Sequence, residues 1–189
     1  MGVDLASIRD TNRAGQAYAL TVLTPIVAGE EAVLRTRLEQ LPGADGSSPF
    51  AQLRRIHFAR FVICSGFVTA AGQPEPDPLH GAYLLFSCCI DGEPDSYLAE
   101  LTTTLAPVTE QVYGHCINAP SPASGPALAD YLRHNQIKTG FFYSAYPEWT
   151  VPEVERVLRQ QATLRQLAVE APRLSHAELQ RRFLDASWG

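Results

Sequence analysis

The chain has 189 residues, of which 46% are hydrophobic and 19% are charged, and its formal net charge is -5. This composition is typical of a globular protein with its own core, and it argues against a broad nucleic-acid interface. No apolar run reaches the roughly 18 residues needed to cross a bilayer, and residues 1–16 lack the apolar stretch of a secretory signal. We therefore expect a cytoplasmic protein with neither a nucleic-acid nor a membrane partner.

The first half of the chain alternates strand and helix signals. Residues 18–26 are rich in β-branched and apolar types and predict strand one, and residues 30–41 predict a helix with leucines on one face. Ser48 followed by Pro49 predicts a short helical turn. Residues 55–64 predict strand two, and because apolar residues fall on both of its faces we expect cover on both sides.

A second group of strand and helix signals follows a long loop. Residues 65–81 are rich in proline and glycine and predict a surface loop. Residues 82–90 predict strand three, a helix with an apolar stripe begins at Pro94, and residues 112–118 predict strand four. The order β-α-β-β-α-β predicts an α+β fold with a ferredoxin-like antiparallel sheet, strand order 4-1-3-2 and helices on one face.

The last third of the chain is mostly helical in its signals. A linker at residues 119–126 precedes a short helix at 127–134, and residues 138–146 predict a fifth strand or an extended arm. Capping boxes that begin at Thr150 and Ser175 each predict the start of a helix.

We predict three segments along the chain: an N-terminal arm at residues 1–16, a ferredoxin-like core at 17–118, and an extension at 119–189. The extension combines an aromatic segment with C-terminal helices. It has too little sheet of its own to form a separate domain, so we expect it to pack on the core or on a second subunit.

The cysteines predict no disulfide or metal framework. Each of them lies in an apolar, strand-like run, and none is spaced as Cys-x-x-Cys. We interpret them as reduced, buried thiols. They are Cys64, Cys88, Cys89 and Cys116.

Strand two carries two candidate catalytic residues, His57 and Arg60. Antiparallel pairing across the 65–81 loop would place Cys88 and Cys89 opposite residues near Phe58, so His57 could activate a thiol or be a hydrogen-bonded core histidine. Arg60, in an apolar strand, could reach water or pair with a local carboxylate. Alternatively it could bind an anion: a substrate carboxylate, an enolate or a heme propionate.

Strand four carries the other two candidates, Tyr113 and His115, which would alternate on one face. There they could line a cavity as proton donor and acceptor, or Tyr113 could simply be a core tyrosine. His57 and His115 would lie on opposite edges of the sheet, about 14 Å apart, so we expect no shared metal ion. The carboxylates around Gly92 are too few for a calcium loop.

Aromatic residues cluster between positions 141 and 149. Packing against the core, contact with a partner subunit and binding of a flat aromatic ligand remain alternatives for this cluster. His134 lies at a predicted helix end beside it and is a candidate proximal ligand for heme.

The pattern of elements over residues 18–118 resembles the dimeric α+β barrel superfamily. The strings HFARFVIC, CCIDGEPDSYLAEL and FFYSAYPEWTV also resemble a set of bacterial proteins. The superfamily includes cofactor-free monooxygenases, polyketide cyclases and heme-degrading enzymes. The resemblance implies a small-molecule pocket and a homodimer, but it transfers no catalytic residue. The long 65–81 loop and the helical C-terminus depart from the minimal barrel.

Three function hypotheses follow. The first is a cofactor-independent enzyme, of cyclase, isomerase or monooxygenase type, that acts on a hydrophobic or aromatic molecule with His115, Tyr113, His57 and Arg60. The second is a heme-binding, peroxidase-like or heme-handling protein with His57, His115 or His134 as the iron ligand. The third is a non-catalytic module that binds a protein partner through its aromatic segment.

Overall fold

The computed structural model describes residues 10–41, 47–66, 72 and 79–186. Most of the expected 65–81 loop lies outside these residues. The chain divides into two compact units, Met1–Glu148 and Trp149–Gly189. The first, the sheet unit, contains all the described strands, and residues 119–148 belong to it. That the C-terminal helices pack on the core stays a prediction.

The sheet unit is built on four antiparallel strands in the order β1-β2-β4-β3. The strands are β1 Arg13–Ala14, β2 Ala17–Pro25, β3 Ile56–Cys64 and β4 Tyr83–Asp91. The three long strands match those predicted from the sequence, and their mutual order, with strand three between one and two, is the predicted one. The α+β class is therefore confirmed.

Four helices accompany the sheet: α1 Glu31–Glu39, α2 Pro94–Thr104, α3 Ala106–Tyr113 and α4 Gly125–His134. A short 3₁₀ helix, Pro49–Gln52, begins where expected, because the Ser48 hydroxyl accepts the Phe50 N–H at 3.3 Å. Helices α1, α2 and α4 were also predicted from the sequence. Helix α3 was not.

The predicted fourth strand at residues 112–118 is wrong, because its first residues end helix α3. Thr109, Val112 and Tyr113 are buried on one side of that helix, at the spacing of adjacent helical turns. Pro107 in the first turn fits a helix start. The ferredoxin-like βαββαβ order is therefore not confirmed.

The residues after α3 nevertheless lie beside β2, where strand four was expected. Cys116 forms an isolated antiparallel bridge with Ile26, and the Ile117 N–H donates to the Pro25 carbonyl at 2.8 Å. The neighbour of β2 was thus predicted in the right place but with the wrong conformation.

The two faces of the sheet have different surroundings. Leu20 of β2 and Leu84 and Phe86 of β4 are at most 1% exposed and share a core with the buried side chains of the helices. On the opposite face, Phe58 and Val62 of β3 are 54% and 40% exposed. The expectation that β3 is covered on both sides is wrong, because β3 is an edge strand and the helices bury only one face.

We call the second face the open face. Its members, taken from the strand register, are Ala19, Thr21 and Leu23 of β2, Leu85, Ser87, Cys89 and Asp91 of β4, and Phe58, Arg60 and Val62 of β3.

The outer edge of β2 is closed by short segments. Besides β1, residues 135–137 run along it: Leu23 N–H donates to the Asn135 carbonyl at 3.1 Å, and Ile137 N–H donates to the Thr21 carbonyl at 2.8 Å. Buried Asn12 donates to the Ala19 carbonyl at 2.9 Å and accepts the Thr139 N–H at 3.1 Å. Of the two alternatives predicted for residues 138–146, a fifth strand or an extended arm, the strand is not formed, since this pairing falls just before it.

The second unit contains helices α5, Val151–Glu170, and α6, His176–Asp185, joined by a 3₁₀ turn at Ala171–Arg173. We call α5 and α6 the C-terminal hairpin. Both predicted capping boxes are confirmed: Glu153 accepts the Thr150 N–H at 2.8 Å, and Glu178 accepts the Ser175 N–H at 3.1 Å. These hydrogen bonds lower the pKa of both carboxyl groups.

Because one face of the sheet is buried and the other is open, we expect substitutions on the two faces to lower the free energy of unfolding by different amounts. Phe86 lies 4.9 Å from Phe61 and 6.0 Å from Phe50, measured between ring centroids. We expect Phe86→Ala to lower the free energy of unfolding by about 3–5 kcal/mol. The matched change Phe58→Ala on the open face should cost less than about 1 kcal/mol. Urea denaturation followed by circular dichroism measures both, and equal losses would show that the open face is covered.

Candidate active site

The open face ends in a histidine–carboxylate pair. His57 Nε2 lies 2.7 Å from Asp91 Oδ1, and the two side chains are 26% and 8% exposed. A register irregularity between Ile56 and Phe58 leaves His57 as an extra residue in β3. Such a bulge redirects a side chain at a strand end. The bulge and the last residue of β4 therefore create the pair together.

Arg55 fixes the backbone around Asp91. Its guanidinium donates to the carbonyls of Asp91 and Glu93 at 3.1 and 3.0 Å, and to the Ser96 hydroxyl at 2.9 Å. Gly92, between them, has a φ of 79°, which a residue with a side chain rarely adopts. The turn from β4 into α2 is thus held in place, and with it the carboxylate that meets His57.

This geometry is suited to proton transfer. A nearly buried carboxylate that accepts from Nε2 fixes the tautomer of His57, and it stabilises the imidazolium when the ring gains a proton. Nδ1 is then the nitrogen that can take a proton from a bound molecule. The pair supplies a general base whose orientation is set by the protein.

Arg60 lies on the same face as the pair. The register places Phe58 opposite Cys89 and Arg60 opposite Ser87, and Ser87 is four residue steps along β4 from Asp91. That is about 13 Å along the strand. Arg60 is exposed and makes no ion pair with the side chains that the structure describes. The open face therefore combines a base, an apolar surface and a cation.

The thiols beside the pair are not activated. Cys89 and Cys88 lie opposite Phe58 and Ala59, which confirms the predicted register. Burial, and secondarily the Asp91 carboxylate, raises the pKa of Cys89 to about 11. Burial raises the pKa of Cys88 to about 12, although the nearby Tyr97 hydroxyl opposes this shift. Both cysteines are protonated at neutral pH, which argues against a nucleophilic thiolate.

Tyr113 is not part of this site. It is 1% exposed in the core at the end of α3, and its hydroxyl has no hydrogen-bond partner within the described part of the chain. Burial raises its pKa well above the ordinary value. The expectation that Tyr113 and His115 alternate on a strand face is wrong, because neither lies in a strand.

His115 lies at the other end of the sheet. Its Nδ1 is 2.9 Å from Glu30 Oε2, and its carbonyl accepts the Val27 N–H at 2.9 Å, just beyond β2. The length of β2, eight residue steps or about 26 Å, separates this end from the end near Asp91. His57 and His115 therefore belong to different ends of the sheet. The contact between His115 and Glu30 connects two loops.

His134 and the aromatic segment give no enclosed site. His134 is the last residue of α4 and is exposed. Phe141, Tyr143 and Tyr146 are 83%, 74% and 74% exposed, so these side chains do not pack into the core. Over the described ranges, no group of three or more His, Cys, Asp or Glu side chains could hold a metal ion.

Asp91 is the functional candidate that the sequence did not single out. Its position before a glycine and an acidic helix start had an adequate explanation as a strand exit. The one available signal was its place at the end of a strand opposite His57 in the expected hairpin. That position brings Asp91 to His57 only because of the bulge in β3, which the sequence does not indicate.

No protein-family model matches the chain, and no curated protein or solved structure shows significant similarity to it. The resemblance to the dimeric α+β barrel superfamily stays a prediction. None of the helices in the described residues has the length and apolarity to cross a membrane. The function is therefore inferred from the geometry of the open face.

The raised thiol pKa values predict slow alkylation. At pH 8, about one Cys89 side chain in a thousand is a thiolate if its pKa is about 11. We expect iodoacetamide to label Cys89 and Cys88 far more slowly in the native than in the urea-unfolded chain. The native rate at Cys89 should rise about tenfold per pH unit up to pH 10. Tandem mass spectrometry separates the two positions, and native labelling at pH 7 as fast as in urea would contradict the protonated state.

Proposed function

We propose that the protein is a cofactor-independent enzyme that transfers a proton on a small hydrophobic or aromatic substrate, with His57 as the general base. The observation that carries the proposal is the 2.7 Å hydrogen bond between His57 and the nearly buried Asp91. A histidine held in this way and partly open to solvent is the usual arrangement for proton abstraction.

The other residues of the open face define the substrate class. Phe58 and Val62 offer an apolar surface on which a flat molecule can lie. Arg60 stands where it can bind a carboxylate or stabilise the oxyanion of an enolate. The span of about 13 Å between Arg60 and Asp91 suits an acid or ketone of one or two rings.

The reaction begins with transfer of a proton from an acidic C–H group of the substrate to His57 Nδ1. Asp91 stabilises the imidazolium, and Arg60 stabilises the negative charge that moves onto the substrate oxygen. Return of the proton to another carbon gives an isomerase. Attack of the carbanion on a carbonyl carbon of the same molecule, whose π electrons move to its oxygen and take the proton back from His57, gives a cyclase. We place the enzyme in the cytoplasm, because all four of its cysteines are free thiols, as a reducing compartment requires.

Nitrobenzisoxazole tests the proposed base directly, because loss of its ring proton opens the ring and releases a coloured phenolate. We expect the wild-type protein to open it at least ten times faster than the same concentration of imidazole. His57→Gln should abolish the excess rate, and Asp91→Asn should lower it about 10- to 100-fold. His134→Gln, an exposed control, should leave it unchanged.

Circular dichroism and thermal unfolding show whether the variants remain folded. If Asp91→Asn unfolds, the comparison of His57→Gln with His134→Gln decides alone. A wild-type rate no higher than that of imidazole, or an excess rate that survives in folded His57→Gln, would rule out His57 as the base.

Heme binding is the second candidate, because ligating histidines are commonly held by a carboxylate on their other nitrogen. His57 satisfies this pattern through Asp91, whereas exposed His134 has no carboxylate partner among its described contacts. Bound heme would supply redox chemistry at the open face. Under our first proposal, hemin titration gives no sharp Soret band. The heme function would instead be supported by a sharp band at one equivalent of hemin. That band should disappear in His57→Gln and remain in His134→Gln, and this result would overturn our first proposal.

A further inference from the structure

The C-terminal hairpin has no buried residue in either helix. Several of its large apolar side chains are between 39% and 75% exposed: Val154, Val157, Leu158, Leu164, Val169, Phe183 and Leu184. Two helices gain little stability unless an apolar face is buried against another element. The hairpin therefore has the surface of an element that packs on a partner.

The apolar surface differs along the length of α5. Helix α5 is about 30 Å long and α6 about 15 Å, so α6 can flank only one half of α5. An open cleft of about 410 Å³ lies between the two, with Leu164 and Leu167 of α5 facing Leu179 and Phe183 of α6. The half of α5 before Gln161 extends beyond α6, with Val154 and Val157 exposed.

One stripe of α5 follows the spacing of a helix–helix seam. Its members recur alternately three and four residues apart: Val154, Val157, Gln161, Leu164 and Ala168. If two copies of α5 run antiparallel about an axis at Gln161, Val157 of each meets Leu164 of the other, and Val154 meets Ala168. The free half of each α5 then enters the cleft of the second copy.

The charges of the hairpin permit this self-association. Residues 149–189 carry six arginines and five carboxylates, so two copies do not repel strongly, although the whole chain has a net charge of -5. Within each copy the Glu155 carboxylate lies 3.8 Å from the Arg159 guanidinium, so these two charges are balanced in the same helix. At the axis, the two Gln161 amides can hydrogen-bond and fix the register, as a polar residue in a seam does.

We propose that the occupant of this surface is a second copy of the chain, and that two C-terminal hairpins pair by two-fold symmetry into a four-helix bundle. A stable interface buries roughly 800 Å² per partner, and the exposed apolar side chains of α5 and α6 are the part of the hairpin that would supply it. The pairing is independent of the reaction at His57. It assigns the homodimer that the superfamily resemblance implied to the helices of the C-terminal hairpin.

Sedimentation velocity on the full chain tests the pairing. The wild-type protein should sediment as two chains of 20.7 kDa each. Val157→Asp should weaken the dimer at least a hundredfold, because it places a carboxylate at the seam twice. Val169→Asp makes the same change at a 75% exposed position outside the seam and should leave the dimer intact. Circular dichroism confirms that the helices of both variants remain.

Cross-linking fixes the axis. In a Cys64→Ser background, oxidation should join two chains through Gln161→Cys but not through Gln166→Cys, which lies on the far side of α5. A single-chain wild type at 100 µM, or a Val157→Asp protein that stays dimeric, would overturn the proposal. A dimer lost instead in Val62→Asp would place the second copy on the open face of the sheet.

Discussion

The described part of the sheet unit depends on one constraint, which is that its four helices bury one face of the sheet. The tight core of Leu20, Leu84 and Phe86 stabilises that side, and these four helices leave the other face uncovered. The second face can therefore carry polar and reactive side chains without disturbing the core. Stability and chemistry are divided between two sides of the same strands, so β4 contributes Cys88 to one and Asp91 to the other.

Asp91 contributes to both stability and chemistry. A nearly buried carboxylate is costly unless donors satisfy it, and His57 is such a donor. The same hydrogen bond that makes the burial tolerable also fixes the ring of the histidine. Arg55 adds to this by holding the backbone of the turn, so the orientation of the base depends on a rigid strand end and not on a loop.

The sequence predicted what depends on local signals. The apolar runs of β2 and β4, the Ser48–Pro49 turn and both capping boxes are short-range patterns, and the structure has them where expected. It failed at residues 112–118, where a run of mixed apolar types fits a strand as well as the end of a helix. It also missed the contact between His57 and Asp91, because a bulge arises from the pairing of two strands and has no signal within either one.

The closed edge of β2 has a consequence for the order in which the molecule is assembled. Asn12 and Thr139 meet through a hydrogen bond that spans 127 positions of sequence. During synthesis, β2 emerges early, but the segment at 135–139 that closes its edge emerges only after the rest of the sheet. The nascent chain thus holds a nearly complete sheet with an incompletely paired edge while residues 92–134 are synthesised. We therefore expect a ribosome-associated chaperone to protect this edge of β2 in the nascent chain and not in the finished fold.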